Sequence, residues 1–408
     1  MDCKIFIQIA AYRDSELIPT IKDCISKAKY PKNIRFGILY QDKSLKFNKR
    51  YENDSRFKIK KIHYSESKGA CWAKHQTGLF YDNEEFALQI DSHTRFIENW
   101  DMEMVDMWKE LNDDYAILTT YPSPYFPEKP ESEWIHIPCV AHVYSFSDFL
   151  TESRPKEAPD PSRTTPYKAI HVSGGFIFGK GSYIKEVPYD PNLYFLGEET
   201  NMTVRLFTHG YNLYHPHKLL LWHFYTRANF KRHWDDQKNW GDLARISHDR
   251  IDCLLERSDE KCDLGIYGLG KKRTLEEFRE YSGIDYKKKI LHTNTVAAKE
   301  PPIVNSKDGW NQIKKYFNQK IFWDFDSISK SDDIIFWSFI FKDSNNREVY
   351  RSDLSHKSHK EILNGEFTNL KFSFEYYAND DITKVKKVLV WPYSEKSGWL
   401  DVKEFKLC

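Results

Sequence analysis

The stretch Phe86-Ala-Leu-Gln-Ile-Asp-Ser-His93 carries the clearest sign of the fold and of the chemistry in this sequence. Its first part, 86–90, is a short, largely apolar run typical of a buried β-strand. Asp91 and His93 follow, and residues two positions apart on an extended chain project to the same side. The pair is placed to bind one divalent cation, Mn²⁺ or Mg²⁺. Taken alone the match is weak, because an Asp that caps a turn beside a surface His is more ordinary.

Strand-like and helix-like segments alternate on the amino-terminal side of this stretch. Such alternation predicts an α/β domain with a largely parallel sheet. Ligands bind outside the carboxyl ends of the strands in sheets of this kind, and Asp91 lies at such an end. The predicted strands cover 4–10, 34–41, 57–64 and 86–90, and the predicted helices cover 16–28 and 70–81.

On the carboxyl-terminal side, the segment 122–166 is rich in proline and charge and has little periodicity. A long segment of this kind inside a compact domain is usually functional, so we predict a lid or wall of the site. A strand is predicted over 170–178, with Gly174-Gly175 at its end, where glycines let the backbone approach a ligand closely. The other predictions are helices over 200–208, 242–256 and 274–281 and a strand over 219–224.

The periodic pattern weakens near 287–305, around Pro301-Pro302. Beyond it, segments at 334–341, 348–350, 370–376 and 385–391 alternate apolar and polar residues, as antiparallel strands do. Three parts are therefore predicted. They are an α/β domain over 1–288, a linker over 289–304 and a small, sandwich-like β-rich domain over 305–408, which is of ordinary domain size.

Composition excludes some classes of partner. Lys and Arg number 61 against 60 Asp and Glu, so the net charge gives no reason to expect a nucleic acid. The seven cysteines show no CxxC pair and no zinc-binding spacing, which is typical of reduced thiols in a cytoplasmic protein. The apolar run after Met1 is too short for a transmembrane segment, so any membrane association is expected to be peripheral.

A third metal ligand is available at His223, in the apolar run 219–224. Arg227 follows closely, and a cation there is placed to pair with phosphate oxygens. Glu198 and Glu199 precede a predicted helix, where a glutamate either holds a substrate hydroxyl or complements the positive end of the helix dipole. The competing histidines near His223 are His215 and His217.

Five short runs form an ordered set, Ala10-Ala-Tyr-Arg-Asp-Ser-Glu, Lys68-Gly-Ala-Cys-Trp-Ala-Lys, Leu88-Gln-Ile-Asp-Ser-His-Thr-Arg-Phe, Trp100-Asp and Gly197-Glu-Glu. Together they resemble the GlcNAc-transferase family typified by cytoplasmic enzymes that glycosylate hydroxyproline on a ubiquitin-ligase adaptor. More distantly the chain resembles the polypeptide GalNAc-transferases, which share Asp-Ser-His. The resemblance covers about residues 3–288 and does not extend to 305–408.

This resemblance implies a GT-A (Rossmann-like) fold, a UDP-sugar donor carrying GlcNAc or GalNAc, a divalent cation and retention of anomeric configuration. Asp91, His93 and His223 match the family's metal ligands. Glu198 falls on the sugar side and is the candidate catalytic residue, orienting a substrate instead of acting as a nucleophile. Lys74 stands where the family has an arginine, so a bidentate contact becomes a point charge. Besides Arg227, the expected donor-binding residues are Arg13, Gln41, Gly69, Lys74, Asp91, Ser92, Gly174 and Gly175.

The acceptor stays open between a protein side chain and a growing glycan. The unfamiliar segment 305–408 and the lack of a secretion signal favour polysaccharide assembly in the cytoplasm. Two other classes are weighed against the transferase. A metal-dependent hydrolase would use the same three ligands, but it needs no nucleotide site, and Arg13, Gly69 and Lys74 argue against it. A non-catalytic glycan-binding protein would explain the β-rich domain and leave the metal-binding set without a role.

Overall fold

The computed structural model describes residues 3–146, 149–226, 230–258, 262–304, 309–310, 312–322, 334–342, 346, 348–354, 369–377 and 386–406. The chain divides into two compact units, Met1–Gly309 and Trp310–Cys408. Strands and α-helices alternate through much of the first unit. Its strands are β1 (Ile5–Tyr12), β2 (Ile34–Asp42), β3 (Phe57–His63), β4 (Phe86–Asp91), β5 (Thr94–Phe96), β6 (Ala116–Thr119), β7 (Ser123–Pro124), β8 (Cys139–Phe146), β9 (Thr151–Glu157), β10 (Tyr167–Lys168), β11 (Phe176–Lys180), β12 (Asn212–His215), β13 (Leu221–His223), β14 (Ile284–Asp285) and β15 (Ile290–Leu291). Its α-helices are α1 (Leu17–Lys27), α2 (Lys49–Glu52), α3 (Ala70–Gly78), α4 (Trp100–Glu110), α5 (Tyr183–Glu186), α6 (Glu198–Thr208), α7 (His233–Asp236), α8 (Trp240–Leu254), α9 (Leu275–Ser282) and α10 (Thr293–Val296).

An eight-stranded sheet forms the centre of the first unit, in the order β10-β12-β6-β11-β4-β1-β2-β3. The pairs β1–β2, β1–β4, β2–β3 and β6–β12 are parallel, whereas β11 runs antiparallel to both β4 and β6. The predicted α/β class with a largely parallel sheet is therefore confirmed. Asp91 lies opposite Ala10 at the carboxyl ends of β4 and β1.

The strand β1 separates two hydrophobic clusters because its side chains alternate between the faces of the sheet. Phe6 belongs to the cluster that also contains residues of α6, and Ile5 and Ile7 belong to the cluster that contains Leu17 of α1 and Trp100 of α4. Burial on both faces explains why β1 is an almost continuous apolar run. Within the described part of the chain, no helix is long and apolar enough to cross a lipid bilayer.

Three predicted segments differ from the structure. The strand predicted over 170–178 is misplaced, since Gly174-Gly175 precede β11 in a tight turn closed by a Ser173–Phe176 bridge. The segment predicted to be aperiodic, 122–166, contains an antiparallel hairpin of β8 and β9. Most residues of β9 are exposed, so the strand lacks the apolar alternation that would have marked it. The segment predicted as a linker, 289–304, contains β15 and α10 of the first unit.

The cysteines depart from the predicted reduced state. Cys253 in α8 and Cys262 form a disulfide, so the prediction of wholly reduced thiols is wrong for this pair. Their separation of nine residues matches no motif that would have marked them in the sequence. Because disulfides are rare in the cytosol, the cysteine content no longer supports a cytoplasmic location. The free cysteines in the described residues are Cys3, Cys24, Cys71 and Cys139, all buried.

The second unit is rich in antiparallel strands, as predicted for the carboxyl-terminal region. The strands are β16 (Gln312–Phe322), β17 (Ile334–Lys342), β18 (Glu348–Leu354), β19 (Asn369–Tyr377), β20 (Lys387–Ser394), β21 (Gly398–Trp399) and β22 (Lys403–Lys406). The strand β17 pairs with β18 and β20, and β20 also pairs with β21 and β22. A further pair joins β16, which the sequence pattern did not predict, to β19.

We predict that Asp101→Ala destabilises the first unit. The buried Asp101 carboxylate accepts hydrogen bonds from the backbone N–H groups of Lys29 (2.7 Å) and Tyr30 (2.8 Å). Removing it leaves both donors without their partner, at a cost of about 2–4 kcal/mol, which lowers the melting temperature by roughly 5–10 °C. Asp106→Ala, on the exposed face of the same helix, is the control. Equal melting temperatures for the two variants would contradict the prediction.

Candidate metal and donor site

Three side chains from separate strand ends converge at one edge of the sheet. Asp91 ends β4, His223 ends β13, and His93 lies just before β5, which pairs with β13. One ligand atom from each lies within 4.8 Å of the others. His223 Nε2 is 3.1 Å from Asp91 Oδ2, and His93 Nε2 is 3.8 Å from the same oxygen. The structure thus brings together the three residues proposed from the sequence as metal ligands.

The imidazole of His93 is prepared for a cation. Its Nδ1 lies 2.7 Å from Asp14 Oδ2, so the proton is placed on Nδ1 and the lone pair on Nε2. That Nε2 is buried and has no hydrogen-bond partner. A carboxylate that orients a histidine in this way is a recurrent feature of metal sites. The donor set and the unpartnered nitrogen both fit a divalent cation.

Asp14 contacts His93, and the sequence interpretation did not single it out. It is buried, and besides His93 it accepts a hydrogen bond from Ser92 Oγ at 2.7 Å. Burial alone would raise the pKa of the Asp14 carboxyl, but the contacts with His93 and Ser92 lower it below the usual value. Ser92, expected to bind the donor, helps to hold the Asp14 carboxylate through this hydrogen bond. Asp14 stands two residues after β1, a position that could have singled it out.

Lys74 and Glu198 form a buried ion pair beside the three ligands. Lys74 Nζ donates to Glu198 Oε1 at 2.6 Å and to the Gly174 carbonyl at 2.7 Å, and it lies 3.7 Å from Asp91 Oδ1. Burial opposes the charge of Asp91, but the nearby Lys74 and the hydrogen bond with His223 lower its pKa far below the usual range. Glu198, the proposed catalytic residue, also accepts from Tyr189 at 3.2 Å, so its carboxylate has structural partners.

Three glycines keep side chains out of this region. A Cβ on Gly175 would lie 3.2 Å from Asp91 Oδ2, and one on Gly174 would lie 2.6 Å from Glu198 Oε1. Gly69, at the start of α3, has a φ of +112°, and a Cβ there would meet the Tyr194 carbonyl at 2.5 Å. A side chain at position 69 would therefore be strained, and one at position 174 or 175 would push on the Glu198 or Asp91 carboxylate.

A cavity of about 640 Å³ opens above these groups. Gln41, Gly69, Lys74 and Asp91 line it, together with the β8–β9 connection and the start of α6. Gln41 is buried; its Nε2 donates to the Ala11 carbonyl at 3.1 Å, while its Oε1 has no hydrogen-bond partner. The cavity thus offers an unused acceptor at some distance along the sheet edge from the metal ligands.

One described residue of the expected donor-binding set does not line the cavity. Arg13 is not among the lining residues; it pairs with Asp236 of α7 at 2.7 Å and lies over the Tyr64 ring. Arg227 lies outside the described residues. The competing ligand His215 is buried away from the cluster, with Nδ1 2.6 Å from the Thr119 carbonyl. Burial lowers the pKa of His215 to about 4.

We predict that Asp91→Ala, His93→Ala and His223→Ala each weaken Mn²⁺ binding by at least about ten-fold, since even the supporting residues of metal sites matter to this degree. Titration calorimetry with MnCl₂ measures the affinity, and circular dichroism checks the fold. His217→Ala, a nearby histidine outside the cluster, is the matched control. Normal affinity in His223→Ala together with a loss in His217→Ala would show that the ligand on this segment is His217.

Solved structures similar to this chain include GalNAc-T7 with UDP, GalNAc and Mn²⁺, at 16% identity and a TM-score of 0.43, with 68% of this chain and 54% of that chain covered. TarS 1–349 from S. aureus with UDP-GlcNAc matches at 13% identity and a TM-score of 0.38, over 63% of this chain and 68% of that one. The longer S. aureus TarS matches at 12% identity and a TM-score of 0.36, over 99% and 77%. The chain thus spans about half the length of the GalNAc-T7 chain.

The chain matches no curated protein. The family model described as glycosyltransferase (GlcNAc) matches it in two overlapping segments, residues 4–53 and 42–288. These segments hold β1, β4 and β13, and with them the three clustered ligands and the cavity above them. The match spans well over half of the chain, and this protein therefore belongs to the GlcNAc glycosyltransferase family.

Proposed function

We propose that this protein transfers GlcNAc or GalNAc from the UDP-sugar to a hydroxyl of a glycan or protein acceptor, with retention of configuration, using Mn²⁺ or Mg²⁺. The observation that carries the proposal is the convergence of Asp91, His93 and His223 beside a cavity of about 640 Å³ in a chain of a glycosyltransferase family. A bound cation would neutralise charge on the departing diphosphate.

The chain's own residues would have separate roles along the cavity. Asp14 holds His93 so that Nε2 faces the cluster. Lys74, paired with Glu198, keeps Asp91 ionised and available as a ligand. At the β2 end, Gln41 Oε1 is a free acceptor, which suits the N–H of a uracil ring. The glycine pair 174–175 leaves room for the sugar between these groups.

Retention is supported by the state of the carboxylates around the cavity. An inverting transferase needs a general base for the acceptor hydroxyl. Glu198 is committed to Lys74, and Asp91 belongs to the metal ligands. Burial opposes the charge of Glu199, but His171 and Tyr121 lower its pKa below the usual value, which makes it a weak base. Departure of UDP on the face that the acceptor enters requires no such base.

The competing classes make different demands on the same cavity. A metal-dependent hydrolase would need a water-activating base and no nucleotide pocket, whereas Gln41 and Gly69 extend the cavity well beyond the ligand cluster. A glycan-binding protein without activity would leave the His93–Asp14 arrangement without a purpose. For the acceptor, we propose a hydroxyl-bearing glycan or protein; hydroxyproline is the narrower candidate suggested by the resemblance in residues 3–288.

We predict that UDP and Mn²⁺ together raise the melting temperature more than the sum of their separate effects, because each completes the binding site of the other. Differential scanning fluorimetry with UDP, MnCl₂ and both measures this effect. The control, Asp91→Ala, should lose the joint effect when each ligand shift is measured from the variant's own ligand-free melting temperature. A hydrolase or a glycan-binding protein would show no joint effect.

We also predict that the first sugar product keeps the α configuration of the donor. With water as acceptor, proton NMR of freshly released GlcNAc, recorded before mutarotation, identifies the first anomer. A small anomeric coupling is expected. A large axial–axial coupling would show inversion, in which case the proposed mechanism fails and Glu198 or Glu199 becomes the candidate base, while the donor class stands.

A further inference from the structure

The adjacent glutamates at the start of α6 point to opposite sides of Gly174. Glu198 Oε1 meets Lys74, which in turn donates to the Gly174 carbonyl. Glu199 Oε1 accepts from the Gly174 backbone N–H at 2.7 Å. The Glu198 side chain is 9% exposed and the Glu199 side chain 31%, and both line the cavity. Glu199 is therefore the more accessible carboxylate of the two.

Three polar side chains hold Glu199 in place. Tyr121, just after β6, donates its hydroxyl hydrogen bond to Glu199 Oε2. The Tyr121 hydroxyl also contacts Ser153 Oγ of β9 at 2.7 Å, and Ser153 Oγ lies 3.0 Å from His171 Nε2. His171 Nε2 is 3.7 Å from Glu199 Oε2. The carboxylate is fixed from several directions, as a group that aligns a substrate must be.

The fixed carboxylate still has capacity for a ligand. Each carboxylate oxygen has two lone pairs, and Glu199 Oε1 accepts one hydrogen bond, from Gly174. Gln41 and Gly69 line the part of the cavity proposed for the nucleotide, whereas Glu199 contacts Gly174 and, through Tyr121, Ser153 of β9.

We propose that Glu199, and not Glu198, binds the acceptor: it accepts a hydrogen bond that aligns the incoming hydroxyl, and as the new glycosidic bond forms and the bond from the sugar to UDP breaks, the hydroxyl proton passes to the departing phosphate oxygen. This assignment rests on the proposed transfer function. A negative carboxylate at this point selects a neutral hydroxyl over a phosphate or carboxylate oxygen. Tyr121 is a positioning residue, because it acts through Glu199.

The test uses the chain of residues 1–408 with Mn²⁺, UDP-GlcNAc as donor and water as acceptor, and measures released UDP. Glu199→Gln should lower turnover at saturating donor by roughly ten-fold or more, the effect of losing a hydrogen bond to a charged group. Its KM for UDP-GlcNAc and its Kd for UDP with Mn²⁺ should stay within about two-fold of the wild-type values, since the donor end is untouched. Glu198→Gln should weaken UDP binding as well, because it breaks the pair with Lys74.

Two further variants keep the test decisive. Tyr121→Phe retains the ring and the Glu199 charge, and it should lower turnover by a smaller factor without changing the donor KM. Glu157→Gln, exposed at the end of β9, should behave as the wild type. Normal turnover in Glu199→Gln, or a loss of UDP affinity equal to its loss of turnover, overturns the assignment. If Glu199→Gln does not fold, normal turnover in Tyr121→Phe overturns it.

Failure of the underlying function would be visible in the wild type alone. A wild-type protein that releases no UDP from UDP-GlcNAc or UDP-GalNAc refutes the transfer, and the role of Glu199 falls with it. UDP release by the wild type with full activity in Glu199→Gln refutes only the role of Glu199.

Discussion

The site depends on the interactions that compensate the buried ammonium group of Lys74. Removing a charge from water costs several kcal/mol unless partners compensate for it. Here Glu198, Asp91 and the Gly174 carbonyl surround the ammonium group. The same charge stabilises Asp91 as a carboxylate despite its burial. A carboxyl group that binds a divalent cation has to be ionised, so the ion pair prepares Asp91 for its proposed role as a ligand.

The sheet brings these groups together although they are far apart in the sequence. Parallel strands place their carboxyl ends at a common edge, where ligands bind in open α/β sheets. Asp91 reaches this edge through β4, and Asp14 follows β1, the neighbour of β4. In the three-stranded sheet β5-β13-β7, the strand β13 pairs with β5, and this pairing brings His223 next to His93. Both sheets therefore contribute to the cluster of Asp91, His93 and His223, and each of these residues lies at the end of a strand or next to one.

The sequence was most informative where local geometry decides the outcome. The spacing of Asp91 and His93 follows from the two-residue period of a strand, and the structure places both in the cluster. The hairpin strand β9 was missed because its exposed, charged residues carry no apolar alternation. Gly174-Gly175 were assigned to a strand end because the apolar residues on both sides hide the turn between them. The Cys253–Cys262 disulfide joins residues nine positions apart, a spacing that no local pattern marks.

The direction of a side chain at a helix start is equally hidden from the sequence. Consecutive helical residues are rotated by about 100°, so one glutamate of the Gly197-Glu-Glu run had to face Lys74 and the other had to face away. Which one did so depends on the packing of α6 against Gly174.

The choice of lysine at position 74 also determines which groups this side chain can reach. A planar guanidinium makes parallel hydrogen bonds to one carboxylate or phosphate, whereas an ammonium donates in three separate directions. Lys74 uses that freedom to reach a carboxylate, a backbone carbonyl and the vicinity of a second carboxylate at once. With its donors directed into the protein, Lys74 sets the charge of the site and the position of Glu198. Glu199, on the other side of Gly174, is left to face the cavity.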